Sequence, residues 1–329
     1  MSEKFDKALS KSHSSMAGVG ILEKVRENLA FFRIRVRGSL RGSSPAQFDR
    51  LFQEVAEYDR ELQAHCNLSL ANARVLEVGY GARPNRLLAL ASMGIDVKGI
   101  DLDRPMLEFD FATIAEIYKR NGFERALKSA VRSLIFDAGE RRSLKTALAQ
   151  KGHSLRLEKE RFLVGNASTI DLPAASLDLV YSEDVFEHIQ IDEVKALLKK
   201  MRVWLKRGGI ALIRPCIFTG ITGGHLTEWY PHTLNMPMER RTEPWEHLRK
   251  QRIQANCFLN KLRPIDYRSI FSKDFEICEE RVESPNQGRN FLTPEVRREL
   301  EEYDETELLS NRVLFVLRPR ETAAVAAHS

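Results

Sequence analysis

The feature that most constrains the fold is a glycine-containing turn between an apolar strand and a helix. Residues 74–78 read Arg-Val-Leu-Glu-Val, typical of a short buried strand, and lead directly into Gly79-Tyr80-Gly81. A helical pattern follows over 85–93, and a second β-rich run over 95–100 ends in Asp101. Strand, turn, helix and strand form a βαβ unit, whose right-handed crossover requires a parallel sheet.

Further patterns extend this unit into a larger sheet. A helical pattern covers 191–205 and is followed by a predicted turn at Gly208-Gly209. β-rich runs recur at five further places, which are 161–164, 177–181, 210–214, 275–282 and 312–317. We therefore predict an α/β fold, a doubly wound and mostly parallel seven-stranded Rossmann-like sheet.

Two segments are too long to be simple connections in such a sheet. Residues 104–160 predict a helical insertion, and residues 216–262, rich in Gly, His, Trp and Pro, predict an irregular excursion. Both leave from the carboxyl edge of the sheet, where open α/β folds bind ligands, so we expect a lid and a substrate wall. The predicted organisation is an N-terminal helical region at 1–73, a main domain at 74–320 and a disordered tail at 321–329.

Charge and cysteine content narrow the class of protein. Fifty-one basic and 46 acidic residues leave a net charge of +5, which is too small for this length to require a polyanionic partner. The four cysteines lack a Cys-x-x-Cys pair, which argues against structural zinc. No apolar run approaches the roughly 18 residues of a membrane span, and no signal peptide is recognisable. We expect a cytoplasmic protein.

An N-terminal run of arginines has no acid among it. It consists of Arg33, Arg35, Arg37 and Arg41. The simplest interpretation is a solvated helix and turn, and peripheral contact with an anionic membrane or a polyanionic substrate is the alternative.

The residues around the glycine turn favour a nucleoside ligand with positive charge. A dinucleotide fingerprint needs a third glycine, but this turn continues to Pro84, and Glu77 lies two residues before Gly79. A carboxylate there would repel a pyrophosphate but suits an ammonium or sulfonium group. Asp101, at the tip of the next strand, can accept hydrogen bonds from ribose hydroxyls.

With these motifs, the sequence resembles the class I S-adenosylmethionine-dependent methyltransferases, of the small-molecule type that includes ubiquinone-biosynthesis enzymes. Five motifs in order over about 140 residues carry the resemblance. They are residues 75–81, residues 97–101, residues 164–167 with 170–173, residues 176–188 and residues 205–210.

The resemblance implies S-adenosyl-L-methionine as cofactor and a set of residues that bind it. Gly79, Tyr80 and Gly81 would approach the methionine half, and Glu77 would hold its ammonium group. The remaining positions are Asp101 at the ribose, Leu102, Asn166 and Ala167 at the adenine, and Ser182 and Glu183 at the sulfonium. Ordinary cap or loop acids are the alternative for Glu77 and Asp101, and a plain turn residue is the alternative for Asn166.

Candidate catalytic residues follow the fourth and fifth strands. They are His188, His225, Tyr230 and His232, because imidazoles titrate near neutrality and aromatic faces can stack on a sugar or ring. Asp184, Glu187 and His188 share one face if the chain is helical there. Some ubiquinone-biosynthesis methyltransferases resemble this arrangement and bind a divalent cation, but Glu-His is widespread in metal-free relatives, so we expect no metal.

These features predict methyl transfer to a hydroxyl or amine of a bulky polar acceptor. A small molecule, a sugar or glycan, or a lipid-linked cell-envelope precursor fits best, and Arg240, Arg241, Arg249 and Arg252 could hold a phosphate or carboxylate on it. Nucleic acid is disfavoured because residues 182–185 read Ser-Glu-Asp-Val instead of Asn/Asp-Pro-Pro-aromatic. A protein acceptor and a non-catalytic binding module are the alternatives, and no motif indicates an oligomeric state.

Overall fold

The computed structural model describes residues 48–107, 110–111, 114–115, 118–119, 122, 137–253, 255 and 257–320. The predicted arginine run at 33–41, much of the first insertion and the tail at 321–329 lie outside the described residues.

Seven strands form one sheet. They are β1 (Arg74–Val78), β2 (Asp96–Asp101), β3 (Phe162–Val164), β4 (Leu177–Glu183), β5 (Leu205–Arg214), β6 (Phe275–Glu283) and β7 (Arg312–Pro319). Their order is β3-β2-β1-β4-β5-β7-β6, and all neighbours are parallel except β7, which runs antiparallel to β5 and β6. The predicted fold class is confirmed.

Helices cover both faces of the sheet. In the described residues they are α1 (Asp49–Cys66), α2 (Asn85–Ser92), α3 (Ala138–Gln150), α4 (Ile191–Trp204), α5 (Glu246–Arg249), α6 (Pro264–Phe271), α7 (Pro294–Glu299) and α8 (Glu305–Leu308). One apolar core includes side chains of α1, α2 and α3, and a second includes α4 and α6 on the other face. Because β1 is covered on both faces, its apolar side chains are buried on both sides. No helix in the described part of the chain is long and apolar enough to cross a bilayer.

The predicted turn at Gly208-Gly209 is wrong, because these glycines lie within β5. The pairing of β4 with β5 shifts between Leu177, which faces Leu205, and Leu179, which faces Ile210. The extra residues on β5 interrupt its regular pairing with β4 at this point. A Cβ on Gly209 would come within 2.9 Å of the Asp178 carbonyl oxygen, so the close approach of the two strands requires glycine.

The excursion over 216–262 packs on a second connection that sequence patterns did not reveal. Trp229 and Trp245 are buried in an apolar cluster with Leu300 and Leu309, which belong to the connection between β6 and β7. The Trp245 indole also donates a hydrogen bond to the Thr219 carbonyl at 3.1 Å. The excursion is therefore held by its own small core at the carboxyl edge of the sheet.

A buried guanidinium at the end of β5 ties α1 to the sheet. The Arg214 side chain is fully buried and lies 2.5 Å from a carboxylate oxygen of Glu57 on α1, of Glu183 on β4 and of Glu283 on β6. The Tyr58 hydroxyl of α1 donates to Glu183 at 2.6 Å. One cation therefore links carboxylates from three elements.

Replacing Arg214 by Leu should destabilise the fold strongly. The variant leaves Glu57, Glu183 and Glu283 without their common cation, and breaking a buried ion pair from one side costs about 3–5 kcal/mol. Urea denaturation measures this loss. The control is Arg289→Leu, which removes an exposed pair with Glu305 and should cost less than about 1 kcal/mol. Similar losses in both variants would contradict a central role for Arg214.

Candidate active site

The glycine turn lies at the carboxyl end of β1 and needs glycine for two reasons. Gly79 and Gly81 have φ angles of +82° and +65°, a region that side chains with a Cβ rarely adopt. A Cβ on Gly79 would also come within 2.4 Å of the Val185 side chain. The turn therefore packs directly on the loop that follows β4.

Glu77 lies beneath this turn as a buried carboxylate. It is 1% exposed, and its Oε2 atom has no hydrogen-bond partner among the described residues. The nearest cation is Arg86, whose Nη1 atom lies 4.0 Å from Oε1. Burial raises the pKa of Glu77 to about 7, against the lowering effects of Arg86 and of a hydrogen bond with the Tyr181 hydroxyl. The turn thus lies over a buried carboxylate with a raised pKa and no cation in direct contact.

Asp101 ends β2 and closes the turn from the other side. Its carboxylate accepts hydrogen bonds from the backbone N–H groups of Gly81 at 2.8 Å and Asp103 at 3.2 Å. Burial raises the pKa of Asp101, and these two N–H groups oppose the rise. The next side chain, Leu102, is apolar yet 66% exposed. The two positions offer a polar and an apolar contact side by side.

Three other predicted cofactor residues use their side chains within the protein. The Tyr80 ring is buried, and its hydroxyl donates to the carbonyls of Asp103 and Leu163 at 2.9 and 3.1 Å. The Ser182 hydroxyl donates to the Val78 carbonyl at 2.9 Å. Both oxygens of Glu183 are engaged, Oε1 by Tyr58 and Arg214 and Oε2 by Arg312. These three side chains are therefore engaged in hydrogen bonds within the protein.

Asn166 forms a turn of its own after β3. Its Oδ1 atom accepts from the backbone N–H and the hydroxyl of Ser168, at 2.9 and 2.8 Å, and its amide donates to Glu193. The oxygen predicted to face an adenine amino group is thus already hydrogen-bonded, which favours the turn-residue alternative. Ala167, beside it, packs against the apolar core.

The four predicted catalytic side chains lie in one continuous row. The ring centroids of His188 and His225 are 4.9 Å apart, those of His225 and Tyr230 are 6.3 Å apart, and those of Tyr230 and His232 are 5.7 Å apart and stacked. We call these residues the acceptor row. His188, at one end of the row, lies three residues after Val185, whose side chain packs on the glycine turn.

Glu187 is buried beneath the acceptor row. Its Oε1 atom lies 3.9 Å from the Nε2 atom of His225 and 4.0 Å from that of His188. Neither carboxylate oxygen has a hydrogen-bond partner among the residues that the structure describes. Burial, with the nearby Asp184 charge, holds the pKa of Glu187 well above its usual range. Asp184 itself pairs with Arg312 at 2.8 Å, so the predicted face shared by Asp184, Glu187 and His188 does not form.

Two histidines of the excursion, His225 and His247, are neutral at physiological pH. Burial lowers the pKa of His225 to about 4, with a smaller contribution from His188, and burial lowers that of His247 to about 4 as well. The His247 Nε2–H group donates to the Phe218 carbonyl at 2.8 Å. His247 is therefore a packing residue.

Three of the four arginines proposed to hold an anionic acceptor bind within the protein. Arg240 lies over the ring of Trp229 and donates to the Thr233 carbonyl. Arg249 pairs with Glu299, and Arg252 pairs with Glu246. Arg241 is exposed.

Sequence reasoning missed several residues at this edge. Cys257 was considered only as a dispersed cysteine, yet its Sγ atom lies 4.0 Å from the Nδ1 atom of His225. Tyr58 and Arg214 showed no local signal, because their partners are distant in sequence. The Glu-His pair at 187–188 was the one local sign of this cluster.

Part of this region matches a known family. Residues 139–213, from α3 through β3, β4 and nearly all of β5, match the family described as methyltransferase domain. The match does not include the glycine turn. Together with the strand order, the match agrees with the resemblance to the class I S-adenosylmethionine-dependent methyltransferases. No curated protein matches the chain.

Solved structures with a similar chain path are distant in sequence. The CcbJ methyltransferase from Streptomyces caelestis is 16% identical over 80% of this chain and 89% of its own, with a TM-score of 0.41. Phosphoethanolamine N-methyltransferase 2 from Haemonchus contortus, in complex with S-adenosyl-L-methionine, is 15% identical over 80% and 53%, with a TM-score of 0.41. Geranyl diphosphate C-methyltransferase from Streptomyces coelicolor A3(2) is 12% identical over 80% and 77%, with a TM-score of 0.40. These similarities are too weak to indicate which substrate this chain uses.

The raised pKa of Glu77 predicts that stability depends on pH. The folded protein keeps a proton on Glu77 up to about pH 7, whereas the unfolded chain releases it near 4.5. The stabilisation that this proton gives is complete below the pKa of Glu77 in the unfolded chain. It is lost as pH rises to about 7, and the total loss is about 3 kcal/mol.

Urea denaturation of wild type and Glu77→Gln between about pH 5 and pH 8 isolates this effect, because glutamine cannot ionise. As pH rises, the free energy of unfolding of wild type should fall relative to that of Glu77→Gln. Parallel pH profiles would contradict the raised pKa.

Proposed function

We propose that this protein is an S-adenosylmethionine-dependent methyltransferase that acts on a hydroxyl or amine of a small polar acceptor, such as a sugar, a glycan or a lipid-linked cell-envelope precursor. The observation that carries the proposal is the acceptor row, which begins in the loop that packs on the glycine turn through Val185 and ends at the exposed His232. Stacked aromatic rings with polar edges suit a ring-shaped polar molecule.

We further propose that the cofactor binds at the glycine turn. The unpartnered Glu77 Oε2 atom would accept from the ammonium group, and the open space at Gly81 lets the backbone approach the methionine half. Asp101 would accept from the ribose hydroxyls. The exposed Leu102 would lie against the adenine, which accounts for an otherwise uncovered apolar side chain.

S-adenosylmethionine supplies a methyl group activated by its sulfonium charge, so the protein chiefly aligns the acceptor and receives its proton. Because Gly79 packs against Val185, the loop that carries His188 lies against the glycine turn. His225 is neutral at pH 7 and can accept a hydrogen bond from the acceptor. Tyr230 and His232 would orient the acceptor by stacking and hydrogen bonding.

Asp101→Ala should weaken binding of S-adenosylmethionine. The loss of a charge-assisted hydrogen bond to the ribose predicts a cost of about 1–3 kcal/mol, which calorimetry measures directly. The matched control is Asp96→Ala, at the opposite end of the same strand, where an exposed carboxylate lies 3.8 Å from Arg74. Unchanged affinity in Asp101→Ala would contradict the proposed ribose contact, and absence of binding to the wild type would favour a non-catalytic module.

A screen of sugars, lipid-linked phenols, peptides and RNA with a labelled methyl donor should give transfer to a small hydroxyl or amine acceptor.

His225→Ala and His232→Ala should separate turnover from cofactor binding. Loss of a positioned acid–base group predicts a fall in kcat of about 10²-fold or more for His225→Ala, with cofactor affinity unchanged. His153→Ala is the control. Equal losses of turnover and cofactor affinity would mean that the two residues are structural, and transfer to RNA or protein alone would refute the proposed acceptor class.

A further inference from the structure

Three side chains beside the acceptor row bring metal-ligand atoms together. A ring nitrogen of His188, a ring nitrogen of His225 and the Cys257 Sγ atom all lie within 4.8 Å of one another. They come from separate segments, the loop after β4, the turn after Gly224 and the end of the excursion. Two imidazoles and a thiolate bind zinc in preference to hard cations such as magnesium.

Hydrogen bonding orients His188 as a ligand. Its Nδ1 atom lies 2.9 Å from the Phe258 carbonyl oxygen, which can only accept, so Nδ1 carries the proton. Nε2 therefore keeps its lone pair and faces the cluster, 4.0 Å from Glu187. Because Phe258 follows Cys257, one short segment supplies both a ligand and the group that orients a second ligand.

Glu187 completes the surroundings of the site. It is buried and unpartnered within the described residues, a costly arrangement that a nearby cation would relieve. His225 presents Nδ1 to Cys257 at 4.0 Å and Nε2 to Glu187 at 3.9 Å. This order of carboxylate, histidine and ligand position is the one found around protein-bound zinc.

We propose that His188, His225 and Cys257 bind one zinc-class divalent ion, with Glu187 orienting His225 and balancing charge. Ligand atoms around tetrahedral zinc are about 3.3–3.7 Å apart, given bonds of about 2.0–2.3 Å, so side-chain shifts of about 1 Å or less close the site. Three protein ligands leave a fourth position open. That this position faces the acceptor rests on the proposed function, whereas metal binding itself does not. An ion bound at the Nδ1 atom of His225 takes the lone pair that the metal-free ring offers to an acceptor, so the two roles of His225 belong to the metal-bound and the metal-free protein.

Two other groupings are weaker candidates. Glu187, Cys216 and His225 also lie together, but they share His225 with the proposed site and Cys216 contacts Thr222. Glu61, His65 and Glu279 form the third group, but Arg281 already neutralises both of its carboxylates. His65 therefore provides a matched control.

The test is zinc titration of the full chain after chelator treatment and dialysis, followed by calorimetry. We expect one equivalent of zinc, with affinity reduced at least tenfold in Cys257→Ser, His188→Ala and His225→Ala, and about 10–100-fold in Glu187→Gln. Cys278→Ser and His65→Ala should remain within twofold of wild type. Cobalt in place of zinc should give a thiolate-to-metal absorption band that Cys257→Ser abolishes.

Absence of stoichiometric zinc binding by the folded wild type would overturn the proposal, as would equal affinity in Cys257→Ser and Cys278→Ser. Titration of the same samples with S-adenosylmethionine keeps the two proposals separate. Zinc binding without cofactor binding would refute the proposed function and leave the metal site intact, and the reverse result would refute only the metal site. Asp101→Ala should bind zinc as wild type does.

Discussion

The arrangement of the carboxyl edge depends on the buried Arg214 guanidinium. Three carboxylates, from α1, β4 and β6, would repel one another in a region with little water, and Arg214 lies 2.5 Å from each. Arg312 pairs with Glu183 from the start of β7 and holds Asp184 as well. The network thereby fixes the end of β4, and with it the loop that carries Glu187 and His188.

The same edge contains polar groups of two kinds. Glu183 is satisfied on both oxygens and acts as a structural residue, whereas Glu77 and Glu187 retain buried oxygens without partners in the described structure. An unsatisfied buried carboxylate costs stability, and such groups concentrate where a protein binds ligands or performs chemistry. This contrast supports a cofactor at Glu77 and a cation near Glu187.

Prediction from the sequence succeeded where the signal was local. The runs at 74–78 and 95–100, with the glycine turn between them, specified β1, α2 and β2 because strand and turn chemistry act over a few residues. The seven-stranded fold class followed from repeating that pattern. The sequence prediction failed at Gly208-Gly209, where the chain continues as β5 and its pairing with β4 shifts in register instead of forming the expected turn. Its assignments for the Tyr80 and Glu183 side chains overlooked partners from other strands and from α1.

The sequence alone determined the fold class, the glycine turn with its two carboxylates, and the set of aromatic and imidazole residues from which the acceptor row is built. Only the tertiary structure decided which of these side chains meet. His188, His225 and Cys257 are far apart along the chain, and the excursion core around Trp229 and Trp245 places two of them against the third. No local pattern can specify such a meeting, because it arises from packing between elements whose order in space differs from their order in sequence.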